Sequence, residues 1–139
     1  MTAGPEHTAL LAVCGAHLQG QPLHPVLESL GAVLVSLTRT APVYRMVLLA
    51  AAGGDHDRPG LIRCPDGGAS VEVELYRLPV AGLGALMVTV ASPLAIGSVV
   101  LDDGSLVHGF VCEGFAEVGA RDITSFGSWR NYLSRPVLT

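Results

Sequence analysis

The sequence predicts an α+β domain: a small, strongly curved sheet or barrel of about six or seven strands with short helices outside it. Three observations predict it. The chain has 139 residues, 50% of them hydrophobic and only 14% charged, enough for one domain with its own core. Short stretches rich in β-branched and aliphatic residues recur along the chain, separated by turns bearing Gly and Pro. Strand-like and helix-like stretches come in irregular order, with no internal repeat and no interdomain linker. Residues 1–139 therefore read as one domain with its core over about residues 9–135.

Residues 9–14 form a short apolar run closed by Gly15, consistent with a buried strand. His24-Pro25 marks a helix start, because proline fits the first helical turn. Leu23, Leu27 and Leu30 then share a face, and Gly31 supplies the stop. Residues 33–40 and 43–50 read as strands joined through Thr40-Ala41-Pro42, which suggests neighbours with a tight connection. Residues 51–60, "AAGGDHDRPG", are the most loop-like part of the chain. Residues 61–64 form a short strand before the "PDGG" turn. In residues 71–76, Val71, Val73 and Leu75 alternate with Glu72 and Glu74, so the glutamates share the other face. Leu83, Leu86, Met87 and Val90 suit an amphipathic helix weakened by Gly82 and Gly84. Residues 96–101 and 106–112 flank Asp102-Asp103-Gly104-Ser105, a hairpin signal. Ser125 is placed to cap a last helix carrying Phe126, Trp129 and Leu133.

Composition excludes several functions. A formal charge of −4 argues against a nucleic-acid surface. All eight basic side chains are Arg, so Schiff-base and P-loop lysine chemistry are ruled out, while carboxylate-binding guanidinium groups remain. Three separated cysteines and an N-terminus, "MTAGPEH", without a basic region point to a reduced cytoplasmic setting with no secretory signal. Residues 78–101 carry no charge and are long enough to span a bilayer. Pro79, Gly82, Gly84, Pro93 and Gly97 break them, so a helix, a turn and a buried strand are expected, and no membrane span. Mean hydropathy of +0.49 with so little charge suits a homodimer or a partner interface.

No metal site is expected, since His7, His17, His24, His56 and His108 are scattered without ligand spacing. Asp55, His56 and Asp57 read as a solvated charged turn. His17 follows a buried strand by a few residues, where a rigid frame can offer a titrating imidazole to a pocket. Spacing alone still favours a structural histidine there. For Arg121, spacing favours a local pair with Asp122; the sharper alternative has it facing an anion while Ser125 exposes helix N-terminal amides. Glu72 and Glu74 read as a solvent face, or in a barrel as a cavity face from which one carboxylate enters a site.

Five segments in register carry a resemblance. "GAHLxGxPL" (residues 15–23), "TRTAPVYRM" (38–46), "GGASVEVELYRLP" (67–79), "PLAIG" (93–97) and "GARDITSFGSWRNYL" (119–133) resemble the C-terminal domain of allophanate hydrolase over nearly the whole chain. The resemblance implies a γ-glutamylcyclotransferase-like small mixed β-barrel with flanking short helices. The superfamily's Tyr-Gly-Ser-Asn-Leu type loop corresponds here to Cys14-Gly15-Ala16-His17-Leu18, so Cys14 and His17 replace its tyrosine and asparagine. Its mid-chain catalytic glutamate has no counterpart in residues 78–101. Cyclisation needs a base for the α-amine, so a divergent γ-glutamylcyclotransferase is a runner-up that requires Glu72 or Glu74 in the pocket.

In allophanate hydrolase an amidase domain acts first and the C-terminal domain decarboxylates the N-carboxycarbamate released. The resemblance thus implies a stand-alone, cofactor-free lyase for N-carboxycarbamate or a similar small anionic substrate, with a separate amidase as possible partner. His17 is the implied acid/base. Gly15 and Ala16 let the backbone approach a ligand, Leu18 completes the loop, and Arg121, Tyr44, Ser125 and Glu74 are substrate-binding candidates. A non-catalytic binding or assembly module is the alternative. Gln19, Gln21 and His24 depart from the family's usual loop, which predicts a changed polar lining.

Overall fold

The structure, a computed structural model, describes residues 7–50 and 57–136. Among these, β1 (Thr8–Val13), β2 (Val33–Arg39), β5 (Glu72–Pro79), β6 (Leu94–Val100) and β7 (Leu106–Cys112) form one sheet in the order β2-β5-β1-β7-β6. A second sheet holds β3 (Tyr44–Leu49), β4 (Arg58–Arg63) and the two-residue β8 (Arg121–Asp122), in the order β4-β3-β8. Every pairing is antiparallel except β1 with β7, which is parallel. β1 lies at the centre of its sheet, and its Leu11, Ala12 and Val13 are all buried. A strand covered on both faces reads as a continuous apolar run, which is why "LLAV" shows no alternation.

The α+β class holds, with the sheets arranged differently from the sequence expectation. The strands form two packed sheets, not a closed barrel, and β8 brings the described strands to eight. β2 and β3 are not partners: β2 pairs β5, and β3 pairs β4 and β8. The residues between them carry the chain from one sheet to the other. Thr40 is fully buried there, its Oγ1 accepting the Val71 N–H at 3.0 Å. The Ala41 N–H donates to the Val100 carbonyl at 2.9 Å. Pro42, without an N–H and with a fixed φ, cannot extend a ladder, so the chain turns there.

α1 (His24–Ser29) starts with Pro25 in its first turn, and Gly31 follows it with φ 81°. α2 (Val80–Met87) begins directly after Pro79, three residues before the first apolar position used to predict it. A β-carbon on Gly82 would lie 2.8 Å from the Leu30 carbonyl oxygen, so this glycine lets α2 meet the end of α1. The charge-free residues 78–101 thereby divide into a strand end, a helix, a turn and β6. No helix among the described residues is long and apolar enough to cross a membrane. α3 (Trp129–Leu133) is capped by Ser128, whose hydroxyl accepts the Asn131 N–H at 3.0 Å; Ser125 does not cap it. Gly127, at φ 73°, breaks the chain between the turn at Thr124–Phe126 and α3. The helix consequently buries Trp129 and Tyr132 and leaves Leu133 exposed. Leu11, Leu27, Met46, Leu61, Leu86 and Ile123 join both sheets and the helices in one core.

Candidate active site

The sheets meet beside the loop that follows β1. The Leu18 N–H donates to the Gly15 carbonyl at 3.0 Å, closing a turn that holds Ala16 and His17 at its centre. The Leu23 N–H then ties back to the Ala16 carbonyl at 2.8 Å. A β-carbon on Gly15 would sit 2.6 Å from Pro59 Cδ, so only glycine allows the loop to rest on β4 of the other sheet. A cavity of about 90 Å³ opens there, lined by residues 13–17, Leu23, Arg58, Pro59, residues 89–91, Leu94 and Phe110.

The His17 ring stacks on Phe110, with centroids 4.7 Å apart and planes 19° from parallel. Its backbone carbonyl accepts a hydrogen bond from His24 Nδ1 at 3.0 Å, which fixes the proton of a neutral His24 on that nitrogen. Burial pushes the Cys14 thiol up to about 12, so Cys14 lines the pocket as a neutral group and not as a thiolate nucleophile. Arg58 Nε is buried and meets no acceptor among the described residues. Among the described residues the lining contains no carboxylate.

Behind the loop, buried Glu74 acts as a brace. Its Oε1 accepts the Gln19 N–H at 2.9 Å and the Tyr76 hydroxyl at 2.8 Å, and its Oε2 accepts from Arg130 at 2.8 Å. The same Arg130 nitrogen donates to the Gln19 carbonyl at 2.8 Å, linking the loop to α3. Burial raises the Glu74 carboxyl, but the Gln19 N–H, the Arg130 guanidinium and the Tyr76 hydroxyl outweigh it and hold the group below its usual range. Burial first, and then Glu74, push the Tyr76 phenol well above its ordinary value.

The structure brings Gly15, Ala16 and His17 together at the cavity. Leu18 and Glu74 face a separate cleft on the far side of the loop, with Ser128 and Arg130. Tyr44 is a core residue whose hydroxyl accepts the Val100 N–H at 3.0 Å. Arg121 is exposed on β8, its guanidinium 5.7 Å from the Tyr132 ring centre, and Ser125 is exposed in the preceding turn of α3. None of these three lines the cavity. Glu72 is exposed and pairs Arg39 at 3.2 Å. Gln19, Gln21 and His24 do not line the cavity either; the Gln19 N–H and the His24 ring brace the loop instead. Asp55 and His56 lie outside the described residues, and among those described no group of His, Cys, Asp and Glu could hold a metal ion.

Residues 9–134 match the allophanate hydrolase C-terminal domain family. The chain belongs to that family. It is 40% identical over 132 residues to a urea amidolyase of Saccharomyces cerevisiae, covering 93% of this chain and 7% of that protein. It thus spans a small fraction of the length of such relatives. A Kluyveromyces lactis allophanate hydrolase structure matches 93% of the chain with TM-score 0.87 and 38% identity, and 21% of that structure is covered. A uropathogenic E. coli-specific protein, 99% covered, matches 94% of this chain with TM-score 0.84 and 37% identity. More distant structures, 17% and 26% identical with TM-scores of 0.66 and 0.54, share the γ-glutamylcyclotransferase-like fold. In this allophanate hydrolase C-terminal domain, two residues escaped sequence reasoning. Arg58 opens β4 inside a stretch that reads as loop, and Phe110 is a strand residue with no motif around it. The one available signal for Arg58 is "RPG": a charged residue just ahead of two residues suited to close backbone approach.

Proposed function

We propose that this domain decarboxylates N-carboxycarbamate, or a closely similar small N-carboxylated amide, with His17 as the general acid. The observation that carries the reading is His17 on the wall of a small cavity, stacked on Phe110 and sharing that cavity with a cationic Arg58. Loss of CO2 breaks the bond between carbon and nitrogen, and its electron pair goes to nitrogen. A proton delivered to that nitrogen makes the leaving step possible, giving carbamate and CO2. An imidazolium supplies such a proton near neutral pH and regains it from water. No cofactor is needed for this step.

Cavity size favours the same substrate class. Sites for drug-sized ligands run to about 300 Å³ or more, whereas this one is about 90 Å³. A molecule of few heavy atoms fits it better than a γ-glutamyl amine does. The cyclotransferase alternative also needs a carboxylate base, and Glu74 is committed to Gln19, Tyr76 and Arg130. The substrate would come from an amidase, and association with that partner or with a second copy of this chain belongs to the same proposal.

The test couples the protein to an amidase that generates N-carboxycarbamate in situ and follows CO2 release above the spontaneous rate. His17→Ala is expected to lose about 10²- to 10⁴-fold of the acceleration while circular dichroism stays native. An unchanged rate in that variant ends the assignment. A wild-type protein that binds the substrate without accelerating its breakdown would instead be a binding or assembly module.

A further inference from the structure

We infer that Arg58 anchors the carboxylate that the substrate keeps, and that the cavity selects small molecules with an anionic group at the Arg58 end. The inference rests on the decarboxylase reading for which molecule reacts, but the anchoring itself stands on binding alone.

Arg58 is half-buried at the first position of β4, and its Nε has left water without finding an acceptor among the described residues. A buried donor with nothing to receive its proton calls for a partner that the protein itself does not supply. The other well-placed guanidinium groups are engaged. Arg39 pairs Glu72, Arg45 pairs Glu117, Arg130 pairs Glu74, and Arg135 lies 3.9 Å above the Tyr132 ring centre. Among the described residues that line the cavity, none is a carboxylate that would compete for Arg58. A guanidinium in that position offers a planar fork that matches a carboxylate.

Its place relative to His17 is fixed by backbone. Pro59 follows Arg58 and lies so near Gly15, two residues before His17, that no β-carbon fits between them, so anchor and acid sit on either side of a close approach of the two sheets. The rest of the wall assigns the two ends of the ligand. A carboxylate gripped by guanidinium is stabilised as an anion and resists departure as neutral CO2. A carboxylate lying against Val90, Leu94 and Phe110 loses hydration, which favours shedding its charge. The Arg58-bound group is therefore the one retained in carbamate, and the group on the apolar wall is the one released. The bridging nitrogen between them takes the proton from His17.

Malonate tests this, because it replaces the bridging nitrogen with a methylene and does not react. Binding is measured by calorimetry on the full chain, with malonamide as the uncharged comparison. Malonate is expected to bind and malonamide not. Arg58→Gln should weaken malonate roughly tenfold to a hundredfold, Arg58→Lys should recover part of the loss, and Arg63→Gln, exposed at the other end of β4, should change nothing. His17→Ala is expected to lose far more of the CO2 release than of the malonate affinity. Thermal unfolding of the Gln and Lys variants separates a lost contact from a lost fold. Wild-type protein that ignores malonate, equal binding of malonamide, or a folded Arg58→Gln variant with undiminished affinity would overturn the anchor. Retained malonate binding in His17→Ala, together with an unchanged rate of CO2 release, would remove the decarboxylase reading and leave the anchor standing.

Discussion

Glu74 is nearly inaccessible, yet it carries a charge held by three donors from three parts of the chain. Its pKa is lowered in the fold relative to the ordinary 4.5. A group depressed in this way contributes stability that is fully present above its unfolded pKa and is lost as pH falls through the folded value. Glu74→Gln is therefore expected to cost about 1–3 kcal/mol at neutral pH, and the deficit against wild type should shrink as pH drops below 4.5. Urea titrations at a series of pH values measure it; a deficit independent of pH would mean that the charge contributes nothing. The sequence showed Glu72 and Glu74 as equivalents, because a period of two assigns a face but not what covers it. What separates them is a loop from residue 19 and a helix from residue 130, contacts that no local pattern records. His17 was legible from its motif, while Arg58 was hidden by the Pro and Gly that follow it.

Helix and hairpin signals carried unevenly to the elements. α1 and the β6–β7 hairpin formed where turn chemistry and a clear stop coincide, with Gly104 at φ 85° in the hairpin turn. α3 began later than expected because two serines compete to cap it and only Ser128 has the extended backbone and the Asn131 N–H within reach. Ser128→Ala should therefore cost about 0.5–2 kcal/mol, and Ser125→Ala should stay within about 0.5 kcal/mol of wild type. Denaturant midpoints of the two variants decide it, and equal midpoints would return the cap to dispute. Arg130 sits in the first turn of α3, so loosening the cap should also loosen the brace on Gln19. The link between β2 and β3 follows a related rule: Thr40-Ala41-Pro42 has the composition of a tight turn, and composition does not say which sheet the chain enters next.

On the scale of the molecule, topology was the least legible feature. β1 pairs β7 in parallel across nearly the whole chain length, and only the family resemblance implied such an architecture. The two sheets come within near-zero clearance at Gly15 against Pro59, as they also do at Gly60 against Cys112. Gly15→Ala is expected to destabilise the protein by about 1–3 kcal/mol through overpacking. Pro59→Ala, which removes the opposing ring atoms, should recover part of that loss in the double variant, as a thermodynamic cycle of the four proteins will read. Strict additivity would mean that the contact is not the cause. The same contact has a hereditary side. A lineage that gains a side chain at position 15 is pressed to trim position 59, so the two sites, far apart in the gene, should drift as one linked character. A suppressor screen starting from a crippled Gly15 variant is expected to return to β4, beside the arginine that faces the pocket.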